Sequence, residues 1–499
     1  MTKANAEQNP LAAAPIGGLL MKYAFPSVVA LVVNSLYNIV DQIFIGWGVG
    51  TLGNSATNVI FPLNMVVMAL ALLLGDGGAA YLSLEQGKGD RKRAEKAVNN
   101  TFFWLIVVGV VFCIICLIFL RPLAALFGAT TDNLPYALAY GRIVILGFPF
   151  VIIGSGMCSM IRADGTPQLT MIAMIAGCVS NVILDAVFVL GFGWGMEGAA
   201  IATVIGQILN FAFSMWYVPH FKTVTISRKA MVPERGLLRK IAGYGISSFV
   251  SQIAVAIVMT VINYYLVHCG MNSEYGADIP LAAFGIAMKF NTILTSIVTG
   301  IGTGAQPIVG YNYGSGDYGR VKKTYFTAAG VATGFAVAFF LLFQIFPAQL
   351  TAMFGDQGEL YTEFSVLSFR IFPLLCLLNG FQAVTAIFFQ SIGKAAISGA
   401  ISLSRQIIFL IPATVILCAR IGVMGVLWAG PAADGLAFIL AFVLALGEMR
   451  ELKHLEGKNS KWLRHKGDRS IKKMHWFKTE GGNENDKQRE MCPAENTAE

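Results

Sequence analysis

Between Lys22 and Glu448 one apolar run follows another, each close to the roughly 20 residues that a helix needs to cross a bilayer core. Lipid offers backbone groups no hydrogen-bond partners, so a spanning segment must be a helix or part of a closed barrel. The runs are longer than barrel strands and lack their period-two alternation, which leaves helices. By length, spans fall near residues 22–47, 55–82, 99–120, 135–160, 168–191, 197–218, 241–267, 281–306, 325–346, 365–389, 396–419 and 423–448. Composition agrees, with 56% hydrophobic and only 13% charged residues in 499. The expected fold class is an all-α polytopic membrane protein of twelve transmembrane helices.

The charge of the loops alternates. One set carries Lys88, Arg91, Lys92, Arg93, Lys96, Arg162, Lys222, Arg228, Lys229, Arg235, Arg239, Lys240, Arg320, Lys322, Lys323 and Lys394. The other carries only Arg121 and Arg420 as bases, among Asp132, Glu197, Glu274, Asp278, Asp356 and Glu359. Under the positive-inside rule the first set is cytoplasmic, and so are both termini. The net charge of +8 is thereby used up in loops and tail, which argues for a bilayer and against a nucleic acid as partner. The tail from Arg450 onward, with Trp462 and Trp476, reads as a solvated basic segment, with lipid-surface contact as the alternative. The first residues, MTKANAEQNPLAAAPIGG, lack the charged start, apolar core and cleavage site of a signal peptide, so the first apolar run is expected to stay as a span. Cys113, Cys116, Cys158, Cys178, Cys376 and Cys418 lie in apolar segments, where cysteine behaves as a small hydrophobe. The CxxC of Cys113 and Cys116 reads as part of a helix, only Cys269 and Cys492 lie near or beyond a span end, and no disulfide framework is expected.

The halves repeat. Gly75, Gly77, Gly87, Gly89 and Asp90 recur as Gly302, Gly304, Gly314, Gly316 and Asp317; Phe127 and Gly128 as Phe354 and Gly355; Gly195, Gly198 and Ala202 as Gly422, Gly425 and Ala429. Each pair is 227 positions apart, from 75 to 302 and from 202 to 429 alike. A constant offset means six helices duplicated in the same orientation, the arrangement of transporters that rock two lobes about a central path. The expected domains are two pseudo-symmetric six-helix lobes at 1–220 and 241–449, a cytoplasmic linker at 221–240 and a basic, polar cytoplasmic tail at 450–499.

Ionisable groups inside spans are costly and are functional candidates by default. Asn181 and Asp185 stand four apart, on one helical face. A helix-end aspartate near the headgroups is the competing reading of Asp185. The first span carries Pro26, a possible bend point, then Asn34, Tyr37, Asn38 and Asp41 spaced to share a face. At 1.5 Å per residue Asp41, Asp185 and Thr203 come to one depth, roughly 10 Å beneath the extracellular surface. Two carboxylates, an amide and a hydroxyl there suit a sodium ion; they equally suit a proton, because two nearby carboxylates in low dielectric cannot both stay ionised. The offset of 227 sets Asp185 on Pro412, Asn181 on Ile408, Thr203 on Gly430 and Asp41 on His268, or on Asn263 after a slip. Cation coupling is therefore expected in the first lobe alone.

Several motifs resemble the multidrug and toxic compound extrusion (MATE) family: Asp41, GDGGAAYLSLEQGKGD, SNVILD with WGMEGAAIAT, AQPIVGYNYGSGD, and FFQSIGK with LSRQIIFLIP. The match spans all twelve helices, and the Asn181, Asp185 and Thr203 set looks like the DinF-related branch with its MepA-type multidrug exporters. The resemblance implies export of organic cations or other toxic compounds by antiport against Na+ or H+. Asp41, Asn181, Asp185 and Thr203 would be the coupling-ion residues, and the metal ligands if the ion is sodium. Tyr37 and Asn38 would be their neighbours. Other branches place further acids in helices 7 and 10, which this chain lacks.

Other charges within spans are candidates too. Asp76 reads as a closely packed group with water access, Lys289 and Asp434 as a second-lobe pair, and Arg405 as the alternative partner of Asp434 or as a snorkelling base. Met65, Met68, Met174, Met259 and Met288 offer an adaptable substrate lining, with lipid-facing and core roles competing for each. Asn291, Gln306 and Asn379 are candidate polar contacts. The reading is a multi-pass cell-membrane exporter of small amphipathic or cationic molecules, bacterial, monomeric, without cofactor beyond its coupling ion. The alternative is a lipid or oligosaccharide flippase of the same superfamily, which would want more intramembrane bases. An enzyme is disfavoured, because there is no HExxH.

Overall fold

The computed structural model describes residues 10–49, 51–127, 129, 133–225, 233–271, 273–276, 278–353 and 358–487, the side chains at 51, 52, 54, 278 and 458–487 excepted. Gly128, Asp132, Arg228, Lys229, Phe354, Gly355, Asp356 and Cys492 lie outside the described residues. Trp462 and Trp476 lie on a helix whose side chains there are not described.

Helices account for almost all of the described chain. They are α1 (Pro10–Ala13), α2 (Ile16–Gly48), α3 (Thr51–Lys88), α4 (Arg91–Ile118), α5 (Leu120–Leu126), α6 (Leu134–Ala163), α7 (Pro167–Asp185), α8 (Gly195–Tyr217), α9 (Arg235–Gly270), α10 (Asp278–Ser315), α11 (Tyr318–Ile345), α12 (Pro347–Ala352), α13 (Glu359–Ile371), α14 (Asn379–Ser391), α15 (Ala395–Leu403), α16 (Ile411–Ile421) and α17 (Met424–Lys487). Two π-helical stretches, Ala186–Gly191 and Ser404–Leu410, continue α7 and join α15 to α16. Among the described residues eleven helices are long and apolar enough to cross a membrane, and a twelfth span is added if one bent pair is counted as one. Two compact units result, one ending at Leu446 and the other beginning at Gly447.

The twelfth span departs from the straight helix expected at 365–389. Residues Glu359–Ile371 and Cys376–Ser391 meet at 41°. Pro373 accounts for the break: without an N–H it cannot continue the helical ladder. The chain crosses the gap by tighter bonds, from Leu374 N to Ile371 O (3.1 Å) and from Cys376 N to Pro373 O (3.0 Å).

The expected repeat has a local structural signature. Asp90 caps α4 by accepting from Arg93 N at 3.0 Å, and Asp317 caps α11 by accepting from Arg320 N at 3.0 Å. Each cap follows a glycine in the left-handed region, Gly89 at φ 79° and Gly316 at φ 80°. The side-chain oxygen satisfies a helix-end N–H that would otherwise lack a partner, and glycine is the residue that takes such a φ without strain.

Glycine also lets α3 and α10 cross in close contact. A Cβ on Gly87 would strike the Tyr311 carbonyl, and one on Gly314 the Leu84 carbonyl. Small residues at a crossing are the usual means of bringing membrane helices together, since lipid provides no hydrophobic drive between them.

The expectation of no disulfide is overturned. Cys269, at the end of α9, is bonded to Cys418 on α16, with Cα atoms 6.6 Å apart. Counting cysteines by span hid the pair, because Cys418 counts as a residue inside an apolar run although it comes close to the end of its helix. Cys113, Cys116, Cys158, Cys178 and Cys376 are free and buried.

Candidate functional site: a buried carboxyl pair

Three helices that pack on one another, α2, α7 and α8, deliver the polar groups, and α6 backs α8. Asp41 lies on α2, seven residues before its end at Gly48; Asn181 and Asp185 lie on the last turns of α7; Thr203 lies on α8, eight residues after Gly195. Asp185 is the last residue before the π-helical stretch, a local widening that is frequent at functional sites. Relative exposures are 0% for Asp185, 1% for Asn181, 5% for Thr203 and 9% for Asp41, so none of the four faces lipid.

These side chains meet. The Asp41 and Asp185 carboxyl groups come within hydrogen-bonding reach of each other. Asn181 Nδ2 donates to Thr203 Oγ1 at 3.3 Å, and the hydroxyls of Tyr37 and Tyr140 also approach Thr203. Yet among the described residues no donor reaches Asp185 Oδ1, Asp185 Oδ2, Asp41 Oδ1 or Asn181 Oδ1. Four buried acceptors without donors, three of them on the two neighbouring carboxyls, make a site short of positive charge. Two dry carboxylates at that distance repel strongly, and a proton or a small cation between them removes the penalty. Among the described residues no group of three or more His, Cys, Asp or Glu is placed to hold a metal, so the donor set suits an ion content with carboxyl, amide and hydroxyl oxygens.

The four candidate ligands Asp41, Asn181, Asp185 and Thr203 thus come together with one of their two expected neighbours, Tyr37. Asn38 does not. It is exposed, and its amide turns back to the Asn34 carbonyl at 2.6 Å. Each residue turns a helix by about 100°, so Asn38 sits about 60° round from Asp41, outside the arc that α7 and α8 cover. Tyr140, on α6, was not singled out from the sequence. Its signal was depth, since it comes six residues after Leu134 and so near the same level as Asp41.

Against known families, the sequence profile of MatE matches residues 26–187 and 248–416. The chain belongs to the MatE family. The multidrug export protein MepA of Staphylococcus aureus is 26% identical over 434 residues, covering 86% of this chain and 93% of that protein. MepA of Staphylococcus saprophyticus is 24% identical over 427 residues, covering 85% and 92%. Solved MATE structures share the fold. A multidrug resistance MATE transporter of the MOP superfamily in its outward-facing conformation aligns at TM-score 0.83 with 22% identity, over 89% of this chain and 98% of that one. A MOP superfamily transporter from Pyrococcus furiosus aligns at 0.82 with 22% identity over the same shares. A MATE crystallised in a bent conformation aligns at 0.80 with 23% identity, over 89% and 97%.

Elsewhere in this MATE chain two acids within spans, Asp434 and Asp76, have partners. Asp434 is bound by Arg405, Nε to Oδ1 at 2.7 Å, and by Asn379, Nδ2 to Oδ2 at 3.4 Å. Arg405, the alternative partner, thus binds Asp434; Lys289 lies half-buried on α10. Asp76 is buried and closely packed: Ser159 donates to Oδ1 at 2.7 Å and Ser248 to Oδ2 at 2.9 Å, with Arg162 at 3.8 Å. Gln306, a candidate substrate contact, is instead buried and donates to the Asp76 carbonyl at 3.4 Å. Asn379 is likewise engaged through its Nδ2. Met65, Met288 and Asn291 are half-buried on α3 and α10. Pro26 is buried within the unbroken helix α2, where it has no N–H for the Lys22 carbonyl.

Proposed function

We propose that this chain is a secondary active multidrug exporter, moving organic cations and other toxic compounds out of the cell by antiport against Na+ or H+. Its similarity to the MepA multidrug export proteins supports the substrate class. The observation that carries the coupling is the surplus of buried acceptors on Asp41, Asp185 and Asn181. The pair takes up its ion from outside, releases it inward as substrate is bound, and is reloaded from outside to reset the cycle. A protein that binds its ion and its substrate with different affinity in two facing states needs no further chemistry to exchange them. The repeats would act as two lobes of six helices rocking about the path between them, with both termini cytoplasmic in the cell membrane. Pro26 would ease bending of α2 during the exchange.

Efflux of a fluorescent cation from vesicles, driven first by an imposed sodium gradient and then by an imposed pH gradient, tests this. One of the two should drive wild-type transport, and Asp185→Asn should remove the response. Transport indifferent to both gradients would refute the antiport reading.

A further inference from the structure

The second repeat lacks counterparts of the carboxyl pair, yet it holds a buried acid of its own. Asp434 is 2% exposed and stands ten residues along α17 from Met424, about 15 Å at 1.5 Å per residue, which is near mid-depth in a core of about 30 Å. Beside it runs the break between α13 and α14. Gly430 lies against Phe372 and Gly435 against Leu375, two residues of the interrupted segment. Asn379, which meets Asp434 Oδ2, is the first residue of α14 after the break. Interrupted helices at mid-depth are where transporters place substrate and ion sites.

Around Asp434 the polar bookkeeping is incomplete. Asn379 Oδ1 and Gln382 Oε1 are buried acceptors with no donor, and three positions along α14 put them on one face. Gln382 itself is 4% exposed. The charge of Asp434 is met by Arg405, through Nε rather than through the paired terminal nitrogens that make the strongest guanidinium clamp. Arg405 stands in a π-helical stretch, where the helical ladder is already loosened, and its side chain keeps 21% of its surface open. The Asp434 carboxylate and, on one face of the adjoining α14, two idle carbonyl oxygens offer acceptors to a cation that carries several N–H groups. The Arg405 guanidinium satisfies only some of them.

We propose that Asp434, Asn379 and Gln382 form a second cation-binding site, for the N–H-bearing cationic group of a substrate such as an amidinium, a protonated amine or an aminated aromatic cation. Arg405 is its internal stand-in. An incoming cation displaces the guanidinium from Asp434 and gives Asn379 and Gln382 the donors they lack. This rests on the cation-export reading above and adds a place of recognition distinct from the coupling pair.

Equilibrium binding to the purified, detergent-solubilised chain tests it, with ethidium, which carries aromatic amines, and tetraphenylphosphonium, which has no N–H. Asp434→Asn should weaken ethidium binding at least about tenfold. Arg405→Gln should tighten it, because the competitor is gone. Gln382→Leu, which leaves every charge in place and so does not depend on how the charge variants fold, should weaken ethidium severalfold while tetraphenylphosphonium is unchanged. If Arg405→Gln weakens ethidium as Asp434→Asn does, the two form a structural pair and the site is refuted. Equal loss of both probes in Gln382→Leu refutes it too, as does affinity unchanged in all three variants while transport stays intact. Failure of the wild type to bind either cation overturns the export reading together with this site.

Discussion

Asp185 is the residue at which the energetics are sharpest, because both its oxygens are buried without a donor and the Asp41 carboxyl touches it. Replacing either acid by asparagine removes a repulsion and, on the proposed coupling, a ligand of the cation. Asp41→Asn and Asp185→Asn are thus expected to abolish efflux of a fluorescent cation while thermal unfolding in detergent stays as high as in the wild type. A lowered unfolding temperature would mark the acids as structural. Tyr140→Phe keeps the ring and removes the hydroxyl that approaches Thr203, and a net hydrogen bond is worth about 1 kcal/mol, so coupling-ion affinity should fall roughly fivefold. Titration of transport rate against the driving ion would measure it. The clustering of Asp41, Asn181, Asp185 and Thr203 was legible because acids and amides in a span are rare and depth follows from counting residues. Tyr140 was not, since a tyrosine near a span end reads as an interfacial anchor. Asn38 was misplaced because spacing gives which residues share an arc, and the rotation of that arc toward α7 is decided by packing.

Among the elements, helix identity was readable from apolar length, and the departures come from backbone chemistry that hydropathy averages away. Pro373 lies in a run apolar enough for one span, and the missing N–H breaks it at 41°. The crossing of α3 and α10 shows the converse case, in which a glycine pattern repeated at 227 positions turns out to mark where backbones touch. Gly314→Val would drive a branched side chain into the Leu84 carbonyl and should lower stability by about 2 kcal/mol or more, or prevent insertion. Thermal unfolding of the purified variant would register the loss, and wild-type stability would speak against a close crossing. The cysteine pairing of α9 with α16 escaped the sequence for a different reason: it depends on which helix ends are neighbours, and nothing in span counting supplies that.

Across the molecule, buried polar contacts tie the first repeat to the second. Asp76 and Ser159 belong to α3 and α6, while Ser248 and Gln390 belong to α9 and α14; Gln390 Nε2 donates to Ser248 Oγ at 3.0 Å and to the Tyr244 carbonyl at 3.2 Å. Asp76→Ala would take the nearest carboxylate from Arg162 and leave two hydroxyls without their acceptor, at a cost of about 3 kcal/mol, visible as a lowered unfolding temperature. Such a contact must loosen whenever the two repeats move apart at that level, so the same variant should shift the balance between facing states, which distance measurements between spin labels on the loops would read. The central claim remains that Asp41 and Asp185 hold one ion between them and give it up to substrate. The most direct measurement is the number of protons or sodium ions released when a cationic drug binds the purified chain, read from the buffer dependence of the heat and from sodium-selective detection. The account predicts release of one ion by the wild type and none by Asp41→Asn or Asp185→Asn; release that persists undiminished in either variant would contradict it.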